Sequence, residues 1–382
     1  MRSPRATGAT LALALGASQG ALLVLTPVLA AVAADLGVST AVAGQLRTVS
    51  GLSAGVTALL AGLAAARVGL RELLGGGLAI IALGAAMSAV APDFAVLAAG
   101  QLLIGAGIGL SYAAGVAAVA EWSRPEQRSR VLALALLGPP AAWIVGMPLG
   151  GLLGEVSWRL VWVVPLAASG LALAVLGLQP ASRPATARAG LRSVLRVPGV
   201  LRWSLGELFA FSAWAGALVF VGALFVESYG LSVAATGLVL GAGAVFYIPG
   251  NLVFRRWVDD HGRALLIALA LVGAVTVAML GAFRPDAWVS FALFALLAFL
   301  AAGRTLAGSA RGLDLAPELR LGVTGVRAAA IQLGYFGGAA VGGVALALGG
   351  YTALGFALAL LFVGATVPHL WPRTTDPVAR LR

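Results

Sequence analysis

The septet "WVDDHGR", residues 257–263, gathers Asp259, Asp260, His261 and Arg263 at one point of a chain that is 60% hydrophobic and only 10% charged. A knot of polarity in so apolar a sequence is either a chemical centre or the turn between two buried segments. Two adjacent Asp and one His do not point to one place on a helix, and the sequence holds no second ligand cluster, so the septet makes a poor metal site. No metal and no cofactor is expected. The turn reading needs an apolar run on each side, and both are present, at 232–254 and 264–283.

That pattern extends over the whole chain. Its 382 residues have a mean hydropathy of +1.00, whereas a soluble domain is nearer half apolar and a quarter charged. The composition indicates a membrane protein. Cys is absent, which excludes disulfides, thiolate metal sites and Cys nucleophiles. The net charge of +11 comes from Arg alone, in short clusters between apolar runs. That distribution reads as a positive-inside signal and not as a nucleic-acid surface. "MRSPR" at the start and "AVAAD" at 31–35 imitate a signal peptide, but the uncharged run 6–34 between them is too long for one. It is expected to be an uncleaved first span.

Apolar runs long enough to cross a bilayer occur at 8–34, 45–66, 73–91, 94–120, 131–154 and 160–178. A basic stretch, "QPASRPATARAGLRSVLRVPG" (179–199), follows. The runs resume at 202–226, 232–254, 264–283, 287–311, 323–347 and 351–371, the last two divided at Gly349-Gly350-Tyr351. The expectation is an all-α membrane protein of twelve transmembrane helices in two pseudo-symmetric six-helix bundles, 1–180 and 202–382, joined by a cytoplasmic basic linker, 181–201. With the N-terminus inside, the inner segments hold Arg2, Arg5, Arg67, Arg71, Arg124, Arg128, Arg130, the linker's Arg183, Arg188, Arg192 and Arg196, then Arg255, Arg256, Arg263, Arg311, Arg320, Arg373, Arg380 and Arg382. The outer segments hold little beyond Arg47, Arg159 and Arg284. Both termini are therefore expected in the cytoplasm.

The two halves repeat each other. "GVSTAVAG" (37–44) matches "GLSVAATG" (230–237), and Pro92-Asp93 matches Pro285-Asp286, both at a shift of 193. Pro125-Glu126 and Arg128 match Pro317-Glu318 and Arg320 at 192, as Gly146, Gly150 and Gly151 match Gly338, Gly342 and Gly343. Six spans per half is an even number, so both halves enter the membrane the same way. That is the parallel-repeat layout of transporters that rock two halves about a midplane site.

Here the chain resembles a known family, the major facilitator superfamily, whose loop signature G-x-L-a-D-r-x-G-R-r follows span 2 and recurs after span 8. "WVDDHGR" fits its second half through Asp259, Gly262 and Arg263. "GLAAARVGLRE" (62–72) fits through Gly62, Arg67, Gly69 and Arg71, with Ala66 at the acidic position. Within the superfamily, "GMPLGG" (Gly146, Pro148, Gly150, Gly151) in span 5, "SWRLVW" (Trp158, Arg159) before span 6 and "PEQRSR" (125–130) are similar to the twelve-span drug:proton antiporter branch. The resemblance implies a monomeric plasma-membrane (cell inner membrane) antiporter working by alternating access: efflux of small amphipathic compounds, as in multidrug resistance, against inward proton flow. One departure is Gln101, in "QLLIGAGIG", where the branch carries an Arg linked to proton coupling.

Candidate residues follow from cost. Ionisable side chains inside spans are expensive and functional by default. Glu207, in the inner part of span 7, shares a helix face with Phe211 and Trp214, and is expected to pair with Arg304 of span 10 and to be the protonation site. Arg47 in span 2 is a candidate for an outer gate or an anionic substrate. Gln19, Gln101, Tyr112, Trp143, Tyr247, Gln332 and Tyr335, at mid-span depth, read with Phe211 and Trp214 as a weakly polar aromatic substrate cavity. The "GMPLGG" stretch reads as a hinge or seal, from the hydrogen-bond defect at Pro148 and the close approach its glycines allow. Asp259 is expected to cap the helix that follows, Gly262 to permit a tight turn, and Arg263 to face headgroups or the opposite half. A facilitator or importer of a small metabolite, without proton antiport, is the alternative within the same fold, and a non-transporting membrane sensor or assembly partner is the alternative outside it. With no Cys and two His, an enzyme is not expected.

Overall fold

Backbone in hydrocarbon must satisfy its own hydrogen bonds, and this chain does so with helices. The computed structural model describes residues 3–64, 67–179, 191–315 and 319–370, and every regular element in them is helical. Arg2, Ala66, Arg183, Arg188, Arg373, Arg380 and Arg382 lie outside the described residues, as do the side chains of Asp259, Arg192 and Arg320.

The elements are α1 (Pro4–Leu23), α2 (Leu25–Asp35), α3 (Thr40–Ala64), α4 (Leu70–Ala89), α5 (Phe94–Trp122), α6 (Arg128–Ala135), α7 (Gly138–Val156) and α8 (Val163–Gly177). After residues 180–190 come α9 (Leu191–Leu195), α10 (Val200–Tyr229), α11 (Val233–Val245), α12 (Tyr247–Phe254), α13 (Val258–Ala282), α14 (Ala287–Leu315), α15 (Arg320–Gly364) and α16 (Val367–Leu370). Among the described residues, ten stretches are long and apolar enough to cross a membrane, the longest being the 46 residues Gly325–Leu370.

Most interruptions have a covalent cause. Helices α1, α6 and α11 each stop four residues before a proline: Leu23 before Pro27, Ala135 before Pro139, Val245 before Pro249. Proline offers no N–H to the carbonyl four residues back, and its ring crowds that carbonyl. Pro148 is the exception, since α7 runs through it unbroken. The long terminal stretch kinks where the sequence divides it. Gly349 (φ −154°, ψ 27°) and Gly350 (φ 63°, ψ −160°) leave the helical region inside α15, and the conformation of Gly350 is open to glycine alone.

The opening septet is not a loop ahead of a helix. Helix α13 starts at Val258 with Trp257 at its cap position, so Asp259 and Asp260 lie in its first turn, and the chain kinks at His261 (φ −126°, ψ 18°). Asp259 therefore does not occupy the capping position expected of it. Nor does Gly262 make a tight turn: it has no positive φ, and a Cβ there would meet open space. The change of direction happens one residue earlier, by loss of one helical dihedral pair at His261.

Arg263 is also turned differently from expectation. Its Nε and Nη2 donate to the carbonyls of His369 (2.7 Å) and Leu370 (3.1 Å), at the end of α16. The first copy does the same: Arg71 Nη2 donates to the carbonyl of Gly177 (2.9 Å), the last residue of α8. Both residues of the Arg263–His369 contact lie 192 positions after those of the Arg71–Gly177 contact. A cation at a helix C-terminus meets unpaired carbonyls and the negative end of the dipole. The signature arginines thus clip the end of α8 to the start of α4 and the end of α16 to the start of α13.

Arg159 plays the matching part at the opposite end. It pairs with Asp35 (2.8 Å) and donates to the Ala91 carbonyl (3.1 Å), while Trp158 Nε1 donates to the same Asp35 oxygen (2.9 Å). The segments before and after residues 180–190 meet along α3 with α15, α7 with α11 and α2 with α10. Glycine sets these seams. A Cβ at Gly151 would fall 2.7 Å from the Gly237 Cα, and one at Gly51 would fall 2.4 Å from the Phe336 nitrogen. Two polar contacts close the Arg159 end across the boundary: Glu155 accepts from the Ala234 N–H (2.8 Å) at the start of α11, and Thr40 bonds Glu227, which also accepts from Tyr351 (2.8 Å).

Two glycines of similar openness should respond oppositely to alanine. Gly262→Ala is expected to leave the thermal unfolding midpoint in detergent unchanged or raised, since helix propensity favours Ala by about 1 kcal/mol. Gly350→Ala, which meets no neighbour but forces a side chain into a glycine-only conformation, is expected to destabilise by about 1–3 kcal/mol. A midpoint for Gly262→Ala lowered as far as that for Gly350→Ala would contradict the placement of the turn.

Candidate functional site

Glu207 is fully buried in α10, where its carboxylate is held from two helices. Arg304 Nη1 of α14 donates to Oε1 (2.5 Å), and Arg327 Nε of α15 donates to Oε2 (3.0 Å). The arginines are themselves anchored: Arg304 Nη2 donates to the Gly206 carbonyl (2.9 Å) and Arg327 Nη2 to the Thr305 carbonyl (2.9 Å). The guanidinium of Arg327 lies 5.5 Å from the Phe211 ring. Charge-assisted contacts of this kind are the strong ones, and removing one partner of a buried pair leaves an uncompensated charge. The triad carries one net positive charge.

Sequence places this triad where the backbone has room for it. A Cβ on Gly308 would lie 2.4 Å and 2.6 Å from the two Glu207 oxygens, so the carboxylate occupies the space a side chain there would take. One turn along α14, Gly312 makes room for the Trp203 ring, whose Nε1 donates to the Gly308 carbonyl (3.0 Å). His369, buried in α16, packs against Gly206.

Glu207 and Arg304 are thus in contact, but Arg327 completes the site and sequence reasoning passed over it. Its signal was a charge five residues into the apolar run 323–347. It was overlooked because the run was read for its length.

The aromatic candidates form a connected wall. Trp143 of α7 is edge-on to Tyr247 (centroids 5.5 Å) and tilted on Trp214 (5.9 Å), and Trp214 stacks on Phe294 (6.4 Å). Trp143 therefore touches residues from beyond the 180–190 segment. Tyr335 is buried in α15, three residues after Gln332, and Tyr112 is half-buried in α5. Gln332 and Gln19 are buried with amide atoms that meet no partner among the described residues. Gln101 is placed elsewhere: its Nε2 donates to Ser88 (3.2 Å), within the α4–α5 pair. Its 11-residue offset from Tyr112 predicts a shared face on a straight helix, but hydrogen bonding to Ser88 ties it to α4.

Of the gating and hinge candidates, Gly150 faces Pro27 and Val24, Gly151 faces Gly237, the Pro148 ring faces Gly241, and Gly146 faces open space. Gly62 lies in the last turn of α3, Arg67 is exposed beyond it, and Gly69 is the cap residue of α4.

Alanine at Gly308 and Gly146 separates the site from ordinary packing. Gly308→Ala is expected to push the carboxylate off its arginines and to destabilise the protein by about 3–5 kcal/mol, the range for a broken buried pair. Gly146→Ala is expected to change stability by less than about 1 kcal/mol. Thermal unfolding in detergent reads both; equal midpoints would show that the triad is not held by the Gly308 gap.

Comparison with known proteins agrees with this architecture. A model of the Major Facilitator Superfamily matches residues 11–226. The transcription regulatory protein OpdE of Pseudomonas aeruginosa is 29% identical over 321 residues, covering 78% of this chain and 77% of that protein. Among solved structures, a D-xylose-proton symporter superposes with a TM-score of 0.77 at 17% identity, covering 97% of this chain and 98% of its own. The human organic anion transporter MFSD10 superposes with a TM-score of 0.72 at 16% identity, covering 97% and 100%. At these identities the structures speak for the fold, and the family model spans more than half of the sequence. The chain is a transporter rather than an enzyme, and it belongs to the Major Facilitator Superfamily.

Proposed function

We propose that the chain is a proton-coupled exporter of small amphipathic organic compounds, with twelve spans in two six-helix bundles, 1–180 and 202–382, that rock about a central site. The twelve are the ten apolar stretches, with Gly325–Leu370 divided at Gly349-Gly350, together with α3 (Thr40–Ala64). The positive-inside rule places both termini in the cytoplasm of a plasma-membrane protein.

The Glu207 triad carries the reading. It is a carboxylate sealed among apolar spans and bonded to arginines of two other helices, one of which, Arg327, lies over the Phe211 ring. A proton on Glu207 would remove the charge that holds α14 and α15 to α10 at one stroke. Such a link between one protonation and the packing of three helices is what coupling requires. The wall of Trp143, Trp214 and Tyr247 supplies broad apolar surface with few fixed charges, which suits amphipathic solutes.

A second reading, a facilitator or importer without proton antiport, draws on Gln101. That residue bonds Ser88 where the resembled branch places an arginine. The name of the Pseudomonas relative, a transcription regulatory protein, adds a regulatory role alongside either transport reading.

Proteoliposomes carrying a pH-sensitive dye decide among them, with compounds chosen by a growth-inhibition screen of a deletion strain. Coupled export predicts that adding compound dissipates an imposed pH gradient, and that Glu207→Gln abolishes this more than tenfold while the protein remains folded. Compound movement with no proton flux in either protein would establish the facilitator. Binding with no movement would overturn both transport readings for that compound.

A further inference from the structure

Arg47 lies in α3 at 2% exposure, and neither its Nη1 nor its Nη2 meets an acceptor among the described residues. No ion pair among the described residues involves Arg47. Glu207 is the one fully buried carboxylate among the described residues, and it already serves Arg304 and Arg327. A guanidinium sealed in a membrane protein without a counter-charge is expensive, and such charges are otherwise paired. Its neighbours share the feature. Gly51, one turn along α3, abuts the Gln332 carbonyl and Phe336 nitrogen of α15, so Arg47 and Gln332 lie along one seam. Gln332 is wholly buried, and both its Nε2 and its Oε1 are without protein partners among the described residues.

We infer that Arg47 and Gln332 recognise the carboxylate of an organic monoanion, whose aromatic body rests on the wall of Tyr335, Tyr247 and Trp143. The chemistry fits each part. A guanidinium grips a carboxylate through two parallel N–H···O bonds, and the Gln332 amide adds a third donor. Tyr335 is buried in α15 three residues after Gln332, and Tyr247 is edge-on to Trp143. A site built to hold a charge also discriminates sharply. An uncharged isostere leaves the guanidinium unpaired, so selectivity for acid over amide is large. The inference rests on the transporter reading above and narrows its substrate class to aromatic carboxylates.

The test is ligand-induced thermal stabilisation and tryptophan quenching of the purified full-length protein in detergent. The probes are three acid–amide pairs: benzoate with benzamide, 1-naphthoate with 1-naphthamide, and indole-3-acetate with indole-3-acetamide. At least one acid is expected to bind at least tenfold tighter than its amide. Arg47→Gln is expected to erase that preference, Arg47→Lys to keep part of it, and Gln332→Leu to weaken acid binding severalfold. Unliganded Arg47→Met is expected to unfold no lower than the parent, because it removes an unpaired buried charge. The inference is overturned if no pair shows acid preference, if Arg47→Gln keeps it, or if unliganded Arg47→Met unfolds well below the parent, which would reveal an internal partner. Acid-blind protein that still moves neutral compounds across proteoliposomes would remove the anion site and leave the transport reading intact.

Discussion

A polar group left unpaired in hydrocarbon costs several kcal/mol, and almost every feature of this chain is an answer to that cost. Helices are the first answer. The helix ends are the second: Arg71 and Arg263 donate to the final carbonyls of α8 and α16. Asp93 and Ser232 accept from the first N–H groups of α5 and α11. Where Pro27, Pro139 and Pro249 remove a donor, the helix stops four residues earlier and restarts; at Pro148 it runs on. The same constraint gives the interior its chemistry, because a buried charge without partners is costly: Glu207 has two, and Arg47 has none among the described residues.

Glycine does the complementary work. Association in a membrane has little hydrophobic drive and depends on close contact. Gly151 against Gly237 and Gly51 against the backbone of α15 let helices from the two parts of the chain meet backbone to backbone. Gly308 is different in kind, since the space it leaves is filled by a carboxylate. Glycine thereby acts both as the smooth surface of a seam and as the missing side chain that admits a charge.

The all-helical, membrane-spanning character was legible in the sequence, because hydropathy acts locally. The kink at Gly349-Gly350 could be read from two adjacent glycines before an aromatic residue. Contacts that depend on which way a helix faces were harder. Gln101 and Tyr112 share a face on an ideal cylinder, yet Gln101 turns to Ser88. Arg263 looked like a headgroup ligand, because nothing in the local sequence shows that the end of α16 lies beside it. Arg327 was visible as a charge in an apolar run, but its partner is 120 residues away. The septet was the most misleading part, since its glycine suggested a turn that the backbone makes one residue earlier.

The two arginine clips have a consequence for ancestry. Each begins and ends inside one repeat, 106 residues apart in both copies. A contact of that kind is inherited whole when a gene segment is copied, and it asks nothing of the second copy. The seams of α3 with α15 and α7 with α11 are the reverse, because each needs both copies at once. The clips therefore fit a unit that preceded the repeat, whereas the seams join its two copies.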